Sequence, residues 1–160
     1  MPATPRPTAA SRVPPPSGIG WNSSSSSRPP TVSSRSAADA TIADALAHVR
    51  NPELTPSLAA LVYVCRQPLE TPTGKFLGIA HIQRLLREPP STLVAGALDD
   101  SMASLRPEAS IDEVAAHLAT YNLVAAPVVD ENGHLLGAVT VDDLLDHMLP
   151  EGWRDRAVSQ

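Results

Sequence analysis

The stretch TIADALAHV at residues 41–49 recurs, with similar residues, as SIDEVAAHL at residues 110–118. A second stretch, GIAHIQRLL at residues 78–86, recurs as GAVTVDDLL at residues 137–145. The two offsets are 69 and 59 positions, so the first copy is ten residues longer between its matched blocks. Matches in the same order predict that the chain folds as two copies of one structural unit.

Each copy begins with the sequence signal of a helix start. Thr41 and Ser110 are good N-cap residues, and each is followed three positions later by an acid, which is the capping-box pattern. A short apolar run follows in each copy, at 60–65 and 123–129. Runs of this length without polar alternation predict strands that are buried on both faces.

A hairpin and a closing helix complete the predicted unit. The turn residues 130–133 lead into a second strand at 135–139. Helices at 142–148 and 82–87 close the two copies, each ending before proline. Because neither copy could bury its sheet alone, the expected fold class is α+β, an α/β sandwich of two pseudo-twofold-related repeats. They would pack sheet to sheet with the helices outside.

Composition divides the 160-residue chain into four parts. Residues 1–37 hold eight prolines and ten serines but no acid. They are therefore expected to be a disordered tail, or the result of a start codon that was assigned too far upstream. Prolines argue against a targeting helix there. The first repeat is expected at 38–98, where its ligand motif is degenerate, and the second at 99–150. A C-terminal extension follows at 151–160.

Charge and apolar content argue against nucleic-acid binding and against a membrane-spanning helix. The chain carries a net charge of −5, concentrated after the tail, which does not suit a nucleic-acid-binding protein. The longest apolar run, 58–65, is far shorter than the roughly 20 residues of a membrane-spanning helix. The single cysteine, Cys65, is expected to be a buried small hydrophobe. It suggests a reducing, cytoplasmic location.

The residues YNLVAAPVVD at 121–130 and GAVTVDDLL at 137–145 resemble the tandem CBS-domain pair, or Bateman module. With LETPTG at 69–74, they are most similar to the CBS region of MgtE-type magnesium transporters, without the transmembrane part. The resemblance covers roughly residues 38–156. It implies a non-enzymatic regulatory module that senses an adenine nucleotide (AMP, ADP or ATP), with or without Mg²⁺, in the cleft between the repeats.

The same resemblance implies a homodimer and an effector that receives the signal, such as a transporter linked to magnesium homeostasis. It does not fix which nucleotide binds. The alternative is a protein interaction or scaffold module with an empty cleft. No nucleophile elbow, phosphate-binding loop or other catalytic pattern appears in the sequence, so an enzyme is not expected.

The implied ligand contacts all lie in the second repeat, at Val124, Ala125, Pro127, Gly137, Thr140 and Asp143. In the pattern G-x-x-T-x-x-D, the glycine lets backbone approach a ligand and the threonine starts a helix whose amides favour phosphate. The aspartate can accept the ribose hydroxyls. A plain capping box between Thr140 and Asp143 is the alternative. The first copy has His81 and Arg84 at these positions, so Arg84 is either a solvated cation or a phosphate contact.

The other candidate residues have simpler interpretations. Asp142 and Asp146 share a helix face and could hold Mg²⁺, although acids near a helix N-terminus are favoured without any ligand. His48 and His117 are expected to cap the ends of their helices as imidazolium ions. Trp153 is expected to fold back on the domain or to meet a partner.

Overall fold

A computed structural model describes residues 35–69 and 74–150, together with Trp153 and Arg156. The first repeat contains strands β1, β2 and β3, helices α1, α2 and α3, and a 3₁₀ helix after them. The second repeat contains α4, β4, β5 and α5. Their bounds are β1 Arg35–Ala37, α1 Ile42–Val49, α2 Pro56–Ala59, β2 Leu61–Arg66, β3 Lys75–His81, α3 Ile82–Leu85, the 3₁₀ helix Val94–Ala97, α4 Ile111–Thr120, β4 Ala125–Val129, β5 Leu135–Thr140 and α5 Val141–Met148.

The strands form one sheet in each repeat. The first sheet has the order β1-β2-β3, with β1 parallel and β3 antiparallel to β2. The second is the antiparallel hairpin β4-β5. Leu105 adds a single parallel bridge to β4 at Val128, in the place that β1 occupies against β2. The pseudo-symmetry predicted from the sequence is therefore visible in the strand pairing.

Strand β1 corrects the expected boundary of the N-terminal tail. Residues 35–37 were included in the disordered segment 1–37, yet they form a strand, and Ser36 and Ala37 are buried. The side chain of Arg35 also donates a hydrogen bond to the Leu69 carbonyl at 2.6 Å. Composition could not reveal this strand, because its three residues gain their partners only by pairing with β2. The rest of the predicted tail, 1–34, lies outside the described residues.

Capping boxes start all three of the longer helices. The side chains of Thr41, Ser110 and Thr140 each accept a hydrogen bond from the backbone amide three residues on, and the acid at that position bonds back to the cap. The capping boxes of α1 and α4 were predicted from the sequence and are confirmed. These bonds satisfy amides that a helix start leaves unpaired.

Strand β2 is the centre of the molecule, because its two faces belong to different clusters of buried residues. Leu61, Tyr63 and Cys65 pack between the two sheets with side chains of β4, β5 and α4. Val62 and Val64 face the opposite way, towards α1, α3 and the 3₁₀ helix. The predicted strand, buried on both faces, is confirmed. The face-to-face packing of the sheets likewise confirms the α+β fold class.

The segment between the repeats was assigned no structure from the sequence, and it forms part of the core. The predicted helix 82–87 ends at Leu85, and residues 94–97 then form a 3₁₀ helix whose Val94 and Ala97 are completely buried. Backbone hydrogen bonds between residues 40–43 and 90–94 hold this segment against α1.

None of the helices in the described part of the chain combines the length and the apolar character that a membrane span requires.

The buried cysteine behaves as predicted. Cys65 is fully buried in β2, and desolvation raises the pKa of its thiol to about 11. A thiol with a raised pKa and no access to solvent is a poor nucleophile at neutral pH. The interpretation as a small core hydrophobe is confirmed.

Tyr63→Phe is expected to stabilise the protein. The Tyr63 side chain is completely buried, its hydroxyl has no hydrogen-bond partner among the described residues, and desolvation raises the pKa of the phenol. Removing a buried unpaired hydroxyl should raise the free energy of unfolding by about 1 kcal/mol, measured by urea denaturation. Tyr121→Phe, where the side chain is 41% exposed, should change nothing. A loss of stability in Tyr63→Phe would reveal a hidden partner for the hydroxyl.

Candidate ligand site between the repeats

The candidate site lies where β5 runs directly into α5. Thr140, the last residue of β5, pairs with Ala125 on the neighbouring strand. The amide of Val141 donates to the Val124 carbonyl at 2.9 Å, so the starts of β4 and α5 are joined. Val124 is 44% exposed and provides an apolar surface at this point. The structure therefore brings together three of the predicted contact residues, Val124, Ala125 and Thr140.

Two other predicted contacts lie farther along the hairpin. Pro127 pairs with Ala138, and Gly137 pairs with Val128, on the side of the junction away from α5. Pro127 is one of the fully buried side chains, and Gly137 is buried as well. Both residues shape the core of the second repeat, and the protein itself covers them.

The Thr140 and Asp143 side chains are bonded to each other. The Thr140 hydroxyl donates to Oδ2 of Asp143 at 2.7 Å, and the Thr140 amide donates to the same oxygen at 2.9 Å. The Asp143 amide lies 3.2 Å from the hydroxyl. Thr140 is only 5% exposed, while Asp143 is half-buried. The capping-box alternative is therefore formed, and both of these bonds from Thr140 go to Oδ2 of Asp143, not to Oδ1.

The two candidate magnesium ligands each have a neighbour from outside α5. Oδ2 of Asp142 accepts a hydrogen bond from the Ser57 hydroxyl at 2.9 Å. Oδ1 of Asp146 accepts one from the indole of Trp153 at 3.1 Å. No group of three or more metal-binding side chains occurs in the described ranges. The contact to Asp146 also confirms that Trp153 folds back on the domain.

A cavity opens between the repeats at the junction of β3 and α3, and Val124, one of the predicted ligand contacts, is among its lining residues. It has a volume of about 200 Å³, and its walls come from the starts of β2 and α3 and from the segment before β4. Its polar lining residues are His81, Gln83 and Asn122. The alignment of the repeats places His81 opposite Thr140, so the sequence indicates this junction, although it has neither the hydroxyl nor the carboxylate of the second repeat.

Arg84 fits the solvated-cation interpretation, whereas the paired histidines differ from expectation. Arg84 is exposed, and its guanidinium donates to the Gly96 carbonyl at 3.0 Å, which links it to the 3₁₀ helix. His48 bonds through Nδ1 to the carbonyl of Asp44, in the first turn of α1 and not the last. Burial lowers the pKa of His117, whose ring contacts Tyr121, so the predicted imidazolium cap is wrong there.

Comparison with known proteins agrees with the resemblance seen in the sequence. The CBS domain family model matches residues 95–150, which cover the second repeat and the last four residues assigned to the first. The magnesium transporter MgtE of Thermus thermophilus is 37% identical over 82 residues, which are 51% of this chain and 18% of that protein. MgtE of Enterococcus faecalis is 34% identical over 70 residues, or 44% of this chain and 16% of that protein. The chain thus spans less than a fifth of either transporter.

Solved structures show the same fold. A crystal structure of the cytosolic domain of the Mg²⁺ channel MgtE in complex with ATP has a TM-score of 0.63 and 29% identity. The match covers 72% of this chain and 45% of that one. The cystathionine beta-synthase pair domain of a putative Mg²⁺ transporter from Shewanella oneidensis has a TM-score of 0.62 at 19% identity, covering 77% and 65%. The second of these supports the fold alone.

Proposed function

Starting from a chain that carries a CBS domain at residues 95–150 and shares its fold with CBS pairs, we propose that it is a regulatory module. It binds an adenine nucleotide where β5 meets α5 and transmits occupancy of that site to a partner protein. The proposal includes no catalytic step. The cytosolic domain among the similar structures supports a cytoplasmic location.

One observation carries the proposal. The Thr140–Asp143 junction is intact, and it stands on a fold shared with a domain whose structure is in complex with ATP. Oδ1 of Asp143 remains available to accept a ribose hydroxyl while Oδ2 keeps the helix cap. The exposed apolar surface of Val124 beside it suits the face of a base.

Transmission of the signal follows from where the site lies. The hydrogen bond from Ser57 to Asp142 joins residues 85 positions apart and crosses from the first repeat to the second. A ligand that seats on the first turn of α5 therefore touches the boundary between the repeats and can change their separation. The relatives that match are magnesium transporters, which makes a transporter or a related effector in magnesium homeostasis the proposed partner.

Isothermal titration calorimetry tests the proposal. The full chain is titrated with AMP, ADP, ATP and S-adenosylmethionine, each with and without Mg²⁺. We expect a saturable heat with at least one of them and a matching rise in melting temperature, since a ligand that binds only the folded state stabilises it. No heat and no thermal shift with any of the four would contradict nucleotide sensing.

That negative result would favour the second candidate function, a ligand-free interaction module. The observation in its favour is the last turn of α5, where Leu145 and Met148 are 37% and 59% exposed, followed by Leu149 at 38% just after the helix. Leu145 and Met148 lie three positions apart, so they are neighbours on the helix surface and form one apolar strip. Such a strip suits the homodimer that the family resemblance implies. A chain that sediments only as a monomer in a sedimentation-velocity experiment would contradict dimerisation.

A further inference from the structure

We infer that two copies of this chain assemble with the α3 segment, residues 82–87, of one copy against α5 of the other, and that opposite charges on the two segments select this pairing. The inference rests on the proposed homodimer and adds to it which surfaces of the two copies meet. Three features lead to it: the leucines that both repeats expose, the charges beside these leucines, and the position of both segments at one cavity.

The two repeats expose a leucine at the same position of their closing helices. Leu86 and Leu145 are 59 positions apart, which is the offset of the second repeated stretch, and they are 67% and 37% exposed. Met148 continues the apolar surface of α5, and α5 buries none of its residues. Because an amphipathic helix normally packs its apolar face against a core, each segment carries an apolar surface that its own chain leaves largely uncovered.

The positions beside these leucines carry opposite charges in the two repeats. Arg84 and Arg87 in the α3 segment correspond to Asp143 and Asp146 in α5 at the same offset of 59 positions. The α3 segment has two arginines and no acid, whereas α5 has three aspartates and neither lysine nor arginine. The side chains of Arg87 and Asp146 are both exposed. Charge is therefore complementary between unlike segments of two copies and repulsive between like segments.

Both segments begin at one cavity, so one partner can reach them together. Ile82 and Gln83, at the start of α3, line the cavity of about 200 Å³ together with Val124. The Val124 carbonyl accepts a hydrogen bond at 2.9 Å from the amide of Val141, the first residue of α5. The first turns of the two helices are therefore neighbours across this cavity.

A twofold axis uses each surface twice. The α3 segment of the first copy meets α5 of the second, and α5 of the first meets the α3 segment of the second, so the assembly closes as a dimer. The leucines then form an apolar centre and the charged side chains form a polar rim, as in other protein interfaces. Pairing α5 with α5 would instead place three aspartates against three aspartates, and such a contact between like charges is unfavourable.

Disulfide trapping tests which segments meet. Leu86→Cys and Leu145→Cys chains are oxidised separately and as an equimolar mixture, and covalent dimers are measured by gel electrophoresis without reductant. Cys65 is buried and does not compete. Since a disulfide requires two Cα atoms within about 7 Å, we expect the mixture to form covalent dimers at least about tenfold faster than either variant alone. Equal rates in all samples, or no covalent dimer in any of them, would overturn the inference.

Charge reversal tests what selects the pairing, with sedimentation velocity of the full chain as the measurement. Arg87→Asp and Asp146→Arg are each expected to weaken dimerisation about tenfold, because each change makes two attractive contacts of the dimer repulsive. The double variant exchanges the two charges and should return to within about threefold of the parent affinity. Arg106→Asp is the control, since Arg106 lies beside the β4–β5 turn, at the end of the hairpin away from α5. It makes the same change in net charge as Arg87→Asp and should alter the affinity less than about twofold.

The outcomes separate this inference from the homodimer and from nucleotide sensing. A dimer that both single reversals weaken and the double variant restores assigns the interface to the α3 segment and α5. A dimer that neither reversal weakens, or that Asp146→Arg strengthens, overturns the inference and leaves the homodimer in place. A double variant that stays as weak as the single variants also overturns it. A chain that sediments only as a monomer overturns both, while the nucleotide titration decides the proposed ligand independently.

Discussion

Asp143→Ala is expected to weaken the binding of an adenine nucleotide about 10- to 100-fold. The expected loss corresponds to hydrogen bonds to a charged acceptor, which contribute about 1.5–3 kcal/mol net. The same change removes the acid of the α5 capping box, so the free energy of unfolding should fall by about 1 kcal/mol. Calorimetry measures the first effect, and urea denaturation measures the second.

The first repeat offers a matched control for this variant. Asp44 makes the same capping box in α1, with bonds of 3.1 and 2.6 Å from Thr41 to its carboxylate. Asp44→Ala should therefore cost the same stability and leave nucleotide affinity unchanged. If Asp143→Ala behaves like Asp44→Ala in both measurements, Asp143 is a helix cap only and the nucleotide lies elsewhere.

Gly78→Ala is expected to lower the free energy of unfolding by about 3 kcal/mol. A Cβ at Gly78 would lie 2.6 Å from the backbone oxygen of Asp99 and 3.0 Å from the nearest atom of Leu98. The oxygen cannot easily retreat, because the backbones of Ile79 and Asp99 exchange hydrogen bonds of 3.1 and 2.7 Å. An alanine would have to push the segment between the repeats away from β3 and break both of these hydrogen bonds.

Gly96→Ala is the control, because Gly96 also lies in the segment between the repeats. A Cβ there meets only a methyl carbon of Thr92, at 3.6 Å, which is an ordinary contact. Its expected change in unfolding free energy is within about 0.5 kcal/mol. Urea denaturation of both variants checks the pair. A cost below about 1 kcal/mol for Gly78→Ala would mean that the segment moves aside without breaking its bonds.

The difference between expectation and structure is clearest at residues whose partners are distant in sequence. The capping boxes at Thr41 and Ser110 need only four consecutive residues, so their sequence pattern was sufficient. The buried strand β2 was predictable because an unbroken apolar run is stable only when both its faces are covered. In contrast, His48 and His117 have equivalent sequence positions but different surroundings. Burial favours the neutral form of His117, and no pattern within its helix reveals that burial.

Residue patterns along the chain were enough to predict the duplication, the order of the main elements, the resemblance to CBS pairs and the candidate motif. These depend on periodicity, caps and short spacings, which act between neighbours along the chain. Three features emerge only in the folded chain: residues 35–37 form a strand, Pro127 is buried beneath the junction, and Ser57 bonds to Asp142 across the boundary between the repeats. Each of these depends on which surfaces meet when the two sheets pack, and that is a property of the folded chain as a whole.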